Sequence, residues 1–241
     1  MGNTRWDTDA YRKRIASLNR VDLHQLYPSE SWSLYRSLIG TTSALDLGCG
    51  NGAKSSIIKK LDDRISYTGV DLSDSVISDA KSLFADSIFF AQDVFDFLQT
   101  NDFTYDVVMS WSVIKSIINW RLFLDGMIQS ASKYVLFDAR FFDINISEPV
   151  FDLNIYKAEY GGEETPLMFS SYKPIVEYLK THDKVKEIQL AAYQSAPDPH
   201  SKYLGQSIPF SYIFSFFVSV GYRRDQDKQA MIYEQLPIGL R

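Results

Sequence analysis

The stretch Ala44-Leu45-Asp46-Leu47-Gly48-Cys49-Gly50-Asn51-Gly52 constrains the fold more than any other part of the chain. A short apolar run ends in an acid and then in three glycines on alternate positions. The run is too brief for a helix and is bounded by turn signals, so it reads as a buried strand. Ala53 to Leu61, which follows, has helical spacing. Glycines at such a strand-to-helix junction permit positive φ and let a ligand approach the backbone without meeting a Cβ. The loop is built to touch a ligand.

Two cofactor chemistries use loops of this kind. Gly48-x-Gly50-x-x-Ala53 satisfies the loose dinucleotide fingerprint, in which a pyrophosphate sits on a helix N-terminus. Asp46 argues against it, because an acid beside the turn repels a pyrophosphate but suits a ligand carrying an ammonium and a sulfonium. With Asp46 the motif becomes Asp-x-Gly-x-Gly-x-Gly, and the chain resembles the class I S-adenosylmethionine-dependent methyltransferases. Two further acids strengthen the resemblance. Ile65 to Asp71 reads as the next strand, ending in a carboxylate that can accept hydrogen bonds from both hydroxyls of a ribose. Ser73 then caps a helix whose Leu72, Val76, Ala80 and Phe84 recur at four-residue spacing. Ser87 to Gln92 is a third strand, closing on Asp93-Val94. In the family an acid here accepts from the adenine amino group, with the next residue against the ring.

The resemblance implies an α/β fold, a Rossmann-like three-layer sandwich with a seven-stranded, mostly parallel sheet whose last strand is antiparallel. It also implies S-adenosylmethionine as cofactor and S-adenosylhomocysteine as product. The cofactor contacts it suggests are Asp46, Gly48, Cys49, Gly50, Gly52, Asp71, Leu72, Asp93 and Val94. Ser110 and Trp111 join them by position, because ligands of such sheets bind outside the carboxyl ends of the strands, near the point where strand order reverses.

Taken in order, Thr8 to Leu18 and Ser29 to Leu38 read as helices of a preface covering residues 1–40, with Arg20 to Tyr27 less clear. His24, within this preface, reads as a surface or structural histidine in preference to a substrate contact. Dehydrogenase domains often open directly on the glycine-loop strand, whereas class I methyltransferases carry helices before it that pack near the substrate. From Thr41 to Asp138 short strands alternate with helices, as in a parallel sheet with crossovers. Asp102 to Ser110 is the fourth strand, Trp120 to Ser130 a crossover helix and Lys133 to Asp138 the fifth strand. The domain expected over residues 41–225 then carries a long inserted segment, 139–170. A connection of that length serves a function or holds structure of its own; here it is either a lid over the cofactor or an extra surface layer. A helix at about Ser171 to Thr181 and an antiparallel pair, Val185 to Ala192 with Ser211 to Val220, complete the plan. The tail, residues 226–241, is unreadable, with dimer contact and disorder equally open.

Composition narrows the function. The 241 residues are 45% hydrophobic and 15% aromatic, as in a single globular core. A formal charge of −5 argues against a nucleic-acid backbone as the main partner. Cys49 is the sole cysteine, so no intrachain disulfide forms. It reads as a small residue packed behind the cofactor in preference to a nucleophile. The N-terminus lacks the apolar core of a signal peptide, and Trp6 stands where a myristoylation site needs Ser or Thr. Ile208 to Val220 is too short to span a bilayer. A cytoplasmic monomer or homodimer acting on a small molecule, without nucleic acid or membrane as partner, is expected.

Methyl transfer needs alignment of a nucleophile behind the methyl carbon and exclusion of water; a general base matters only for an acceptor protonated at working pH. The acceptor side is accordingly the less legible half. Candidates are Trp111, Lys115, Arg140, Tyr160 and Tyr203, with His200 as the best-placed base because its ordinary pKa lies near neutrality. Trp111 alternatively packs on the adenine side, Lys115 and Arg140 alternatively serve as surface cations, and His200 alternatively is a solvated loop residue. Ser110 to Lys115 lacks the Asn-Pro-Pro-Tyr type motif of relatives that methylate amino nitrogens. The fourth strand lacks the terminal acid of metal-dependent relatives, and no metal is expected. Oxygen or nitrogen of a small molecule is the expected acceptor, reached by direct displacement. A non-catalytic binding or assembly module on the same fold, or an NAD-type oxidoreductase, are the alternatives.

Overall fold

The structure is a computed structural model that describes residues 6–141, 150–153, 166–169, 171–195, 202–203, 206–207, 211–221 and 231–235. His200 and Tyr160 fall outside these residues. Arg140 and Tyr203 lie in strands whose backbone alone is described.

Two helices come first, α1 (Asp9–Ser17) and α2 (Pro28–Leu38), with a short 3-10 turn, Leu23–Gln25, between them. The central run is β1 (Ser43–Leu47), α3 (Ala53–Leu61), β2 (Ser66–Asp71), α4 (Asp74–Leu83), β3 (Ile88–Ala91), α5 (Val94–Thr100), β4 (Tyr105–Ser110), α6 (Trp120–Ser130) and β5 (Ala131–Phe141). A hairpin of β6 (Val150–Leu153) and β7 (Pro166–Phe169) follows, then α7 (Lys173–Lys180) and β8 (Val185–Ser195). The minor pair β9 (Lys202–Tyr203) and β10 (Gln206–Ser207) precedes β11 (Ser211–Val220) and β12 (Met231–Gln235).

The main sheet has eight strands in the order β12-β8-β11-β5-β4-β1-β2-β3. Strand β11 alone runs against its neighbours β5 and β8, while β12 adds parallel to β8. The count of seven strands is therefore corrected to eight. The additional strand comes from the tail, where the alternation in Met231-Ile232-Tyr233 is too short to stand out in the sequence. Strand order reverses between β1 and β4: β2 and β3 lie on one side of β1, and β4 and β5 on the other, which opens a crevice at the carboxyl edge.

Period-2 alternation assigns each strand residue to one of two cores. Ala44, Val107, Met109, Leu136 and Phe217 face α2, α3 and α4, where Leu34, Ile57, Ile58 and Ile77 cover them. Leu45, Leu47, Val108, Val135, Phe137 and Phe216 face α5, α6 and α7, against Phe123, Leu124, Met127 and Leu179. The sheet is thus buried on both faces, the three-layer arrangement that the alternating pattern predicts. Each fully buried Leu, Ile or Phe side chain contributes roughly 1.5–3 kcal/mol. Helix α2 rests on β11: Trp32 and Arg36 lie over the Phe217 ring at 5.9 and 4.9 Å. Helix α1, by contrast, buries no residue. It is held by the fork of Arg12 on Asp79 of α4, at 2.7 and 2.5 Å, and by Asp7, which accepts from the Ser75 N–H and the Ser73 hydroxyl at 3.0 Å each.

Like Gly48, where a Cβ would run into the Val113 side chain, Gly52 answers to packing. It begins α3 with φ +76°, and a Cβ there would come within 2.6–2.7 Å of the Phe89 ring. Gly52→Ala is therefore expected to cost about 1–3 kcal/mol through overpacking and left-handed backbone. Urea unfolding measures this as a lower midpoint at unchanged slope; an unchanged midpoint would remove the packing argument.

Candidate active site

The loop that joins β1 to α3 is tied to the end of β2. The N–H groups of Gly48 and Cys49 both donate to the Val70 carbonyl, at 2.7 and 3.0 Å. Asp71, 6% exposed, then accepts from the Gly50 N–H at 2.9 Å and from the Ser73 N–H at 3.1 Å. One carboxylate thus holds the glycine turn and the start of α4 together. Burial raises its pKa above the ordinary carboxylate range, and the two N–H donors oppose that rise.

Above this loop lies a cavity of about 570 Å³, within the range of small-molecule sites. Gly48, Cys49 and Gly50 form its floor, with Asp71 and Leu72 from the end of β2 and Asp93 and Val94 from the end of β3. Asp93 also caps α5, accepting from the Phe95 N–H at 2.8 Å. Trp111, Ser112 and Lys115, just past β4, supply another wall, and the N-terminal segment supplies the roof through Trp6, Tyr11, Ile15 and Tyr27. Eight of the residues expected at the cofactor by sequence, Gly48, Cys49, Gly50, Asp71, Leu72, Asp93, Val94 and Trp111, are brought together here with Lys115.

Three others stand behind the wall. Asp46 is buried on the α2–α4 side of the sheet, where its Oδ2 accepts from the Tyr67 hydroxyl at 2.7 Å. Its Oδ1 has no hydrogen-bond partner among the described residues. Burial raises its pKa, with Lys54 and the Tyr67 hydroxyl pulling the other way. Gly52 packs on Phe89, as above. The Ser110 hydroxyl donates to the Leu47 carbonyl at 2.8 Å and clamps β4 to β1 in place of facing the cavity.

Sequence reasoning missed three charged residues of the wall. Glu30 of α2, 8% exposed, pairs with Arg20 at 3.3 Å and Lys54 at 3.6 Å. Lys54 also lies over the Trp111 ring at 5.5 Å. Asp138, on β5, lines the cavity as well. Its place resembles that of Asp71 and Asp93, an acid toward the carboxyl end of a strand, and that signal was present in the sequence. Glu30 and Lys54 sit on helices with nothing in their spacing to set them apart.

The chemistry of this donor set suits a cationic cofactor with a ribose and an adenine. The floor has no Cβ at Gly48 or Gly50, both with positive φ. Carboxylates stand at the ends of two neighbouring strands, and the buried Trp111 Nε1 is an N–H with no hydrogen-bond partner among the described residues. Leaving such a donor unpaired costs about 1–3 kcal/mol, which a ligand acceptor would recover.

Comparison with known proteins agrees with this geometry. Residues 45–133 match a family model described as a methyltransferase domain. No curated protein matches the sequence. Among solved structures, the N-terminal domain of EvdMO1 with S-adenosylhomocysteine bound is 12% identical, with a TM-score of 0.58, covering 88% of this chain and 95% of that one. An S-adenosylmethionine-dependent methyltransferase from Clostridium acetobutylicum is 15% identical, with a TM-score of 0.56, covering 88% and 100%. The O-methyltransferase of a trans-AT polyketide synthase multienzyme from Brevibacillus brevis, in complex with S-adenosylhomocysteine, is 16% identical, with a TM-score of 0.55, covering 78% and 72%. Residues 45–133 thus carry a methyltransferase-domain signature, and the fold around them is the Rossmann-like α/β arrangement of S-adenosylmethionine-dependent methyltransferases. No helix among the described residues is long and apolar enough to cross a membrane.

Cys49 illustrates how the site treats a reactive group. Burial first, then the neighbouring Asp71 and Asp46, push its thiol well above the ordinary range. The thiolate is therefore scarce near neutral pH, and each unit of rise lowers its fraction about tenfold. Alkylation by iodoacetamide at pH 8, followed by intact mass, is expected to run at least about tenfold slower than in the urea-unfolded chain. Equal rates would mean that the thiol is not enclosed by the loop.

Proposed function

We propose that this chain transfers a methyl group from S-adenosylmethionine to an oxygen or nitrogen of a small-molecule acceptor by direct displacement. The observation that carries the reading is the convergence of the glycine loop, Asp71, Asp93 and Trp111 on one cavity at the strand-order reversal. When bound, the cofactor supplies a methyl group on a sulfonium, which leaves as a neutral thioether. The protein's part is to bind and orient. Asp71 accepts from ribose hydroxyls with the lone pairs left by Gly50 and Ser73. Asp93 and Val94 serve the adenine, and Gly48 to Gly50 allow close approach of the ligand to the backbone. Asp46 acts from behind the loop through its negative charge.

The acceptor half falls to Trp111, Lys115 and Asp138, with Arg140, Tyr160, Tyr203 and His200 as further candidates from the sequence. A small molecule is favoured by the size of the cavity and its aromatic lining. The Brevibacillus neighbour is an O-methyltransferase of a polyketide synthase, and EvdMO1 was also solved in the presence of D-fucose. Both are consistent with a hydroxylated acceptor. The segment 139–170 serves as a cover for this half. In support, the β7 backbone runs beside the turn Ile114–Ser116, and that turn's Lys115 and Ser116 line the cavity.

Titration calorimetry with S-adenosylhomocysteine, and with NADH in parallel, tests the reading. Micromolar binding of the homocysteine product with none of NADH is expected; the reverse would transfer the chain to nicotinamide chemistry. Asp71→Ala should weaken product binding by about 1.5–3 kcal/mol, roughly ten- to a hundredfold, the range for hydrogen bonds to a charged group. Undiminished affinity in a folded Asp71→Ala variant would remove the ribose assignment.

A further inference from the structure

Asp138 differs from the other acids of the cavity in what holds it and in what it faces. Strands β4 and β5 last pair at Ser110 and Phe137, so Asp138 stands one residue beyond the end of β4, while on its other side it still pairs with Ser215 of β11. Strand parity places it on the α2 side with Leu136. Beyond β4 the chain turns through Ser112, the only non-glycine residue with positive φ among the described residues, at +61°. A left-handed backbone at such a residue is strained, so surrounding structure must impose it. Its result is visible: the Ser112 N–H donates to Asp138 Oδ1 in a short hydrogen bond, and its hydroxyl lies 3.4 Å from Oδ2.

The carboxylate fixed in this way borders two spaces. One is the main cavity. The other is a hollow of about 20 Å³ lined by Ser112, Lys115, Asp138, Ala139 and Ile213, room for a single water-sized group. Lys115 and Ser112 border both spaces as well. A proton acceptor and an ammonium thus flank one small space that opens beside an aromatic-lined cavity.

We propose that Asp138 is the proton acceptor of the transfer step, oriented by Ser112, and that the acceptor presents a phenolic or enolic hydroxyl to it. This rests on the methyltransferase reading above. The O–H bond breaks and its proton passes to an Asp138 oxygen. The electron pair left on the acceptor oxygen forms the bond to the methyl carbon, and the carbon–sulfur pair departs with the thioether. Lys115 stabilises negative charge on the oxygen before the new bond forms, and protonated Asp138 returns its proton to water. The aromatic rings of Trp6, Tyr11, Tyr27 and Trp111 offer surfaces for a planar acceptor.

The charges around Asp138 fit this role. Glu30 on α2 opposes its ionisation, whereas Lys54 on α3, Lys115 past β4 and the Ser112 N–H favour it; enclosure is the largest influence and leaves the carboxyl above its ordinary range. A base nearer to neutrality takes a proton more effectively, and the ionised, active form prevails above that raised pKa and is lost as pH falls through it.

Carboxyl 13C NMR on the full chain saturated with S-adenosylhomocysteine tests the assignment, with Asp138→Asn identifying the resonance. Expected are a titration above the usual aspartate range and a shift of that resonance on adding phenol as probe. A titration within the ordinary range, or no response to phenol, would overturn the proposal. Turnover with labelled methyl donor and a panel of phenols should fall about 100-fold to 10,000-fold in Asp138→Asn, with product affinity within about twofold of wild type. The acidic limb of the rate profile should vanish with it. Retained turnover in Asp138→Asn alongside loss in His200→Ala would assign the proton to His200 and overturn the role of Asp138. Failure of the wild type to bind S-adenosylhomocysteine would instead defeat the methyltransferase reading itself, so the two failures separate.

Discussion

Asp71 accepts two backbone N–H groups at once, one from the glycine turn and one from the start of α4, and the shape of the cavity floor depends on that bridge. Three glycines in five residues give the loop freedom that costs entropy to suppress. Two carbonyl contacts at Val70 and the Asp71 carboxylate suppress it in one conformation. The same carboxylate faces the cavity, so the group that orders the loop also confronts whatever the loop holds. Structure and ligand recognition therefore meet in a single side chain.

The cavity walls are electrostatically divided. Asp71 on the floor and Asp46 behind it are buried acids whose ionisation is opposed by burial and supported by Lys54, Tyr67 and backbone donors. Across from them, Glu30 gathers Arg20 and Lys54 into a network of ion pairs. A cationic cofactor would offset the buried acids without demanding a new charge from the protein. The roof is held differently: α1 contributes side chains to the cavity yet buries none of its own residues, and one exposed charged pair, Arg12 with Asp79, attaches it to α4. An exposed pair contributes little, because solvent screens it. The floor is thus rigidly specified, and the roof only lightly so.

The parts legible in the sequence are those written in local pattern. The strand and glycine turn at 44–52, the helix 53–61, the Ser73 cap and the crossover helix Trp120–Ser130 follow from periodicity and turn chemistry within windows of a dozen residues. Other features escaped for physical reasons. Helix α5 spans only Val94–Thr100, two turns opened by the Asp93 cap, too brief for an amphipathic period to register. Strand β12 exists because β8 offers it an edge, and no local signal announces such an edge.

The sequence by itself determined the order of elements, the acids at the ends of β1, β2 and β3, and the glycine loop that marks a ligand site, because each is encoded by neighbours along the chain. Only the tertiary structure decided which of those residues reach the cavity. Asp46 and Ser110 have the right position in the motif, yet strand parity and packing turn Asp46 to Tyr67 and Ser110 to the Leu47 carbonyl. Glu30, Lys54 and Asp138 come from three separate elements and meet across one space. That meeting depends on how helices and sheet edge pack together, which residue spacing along one chain does not record.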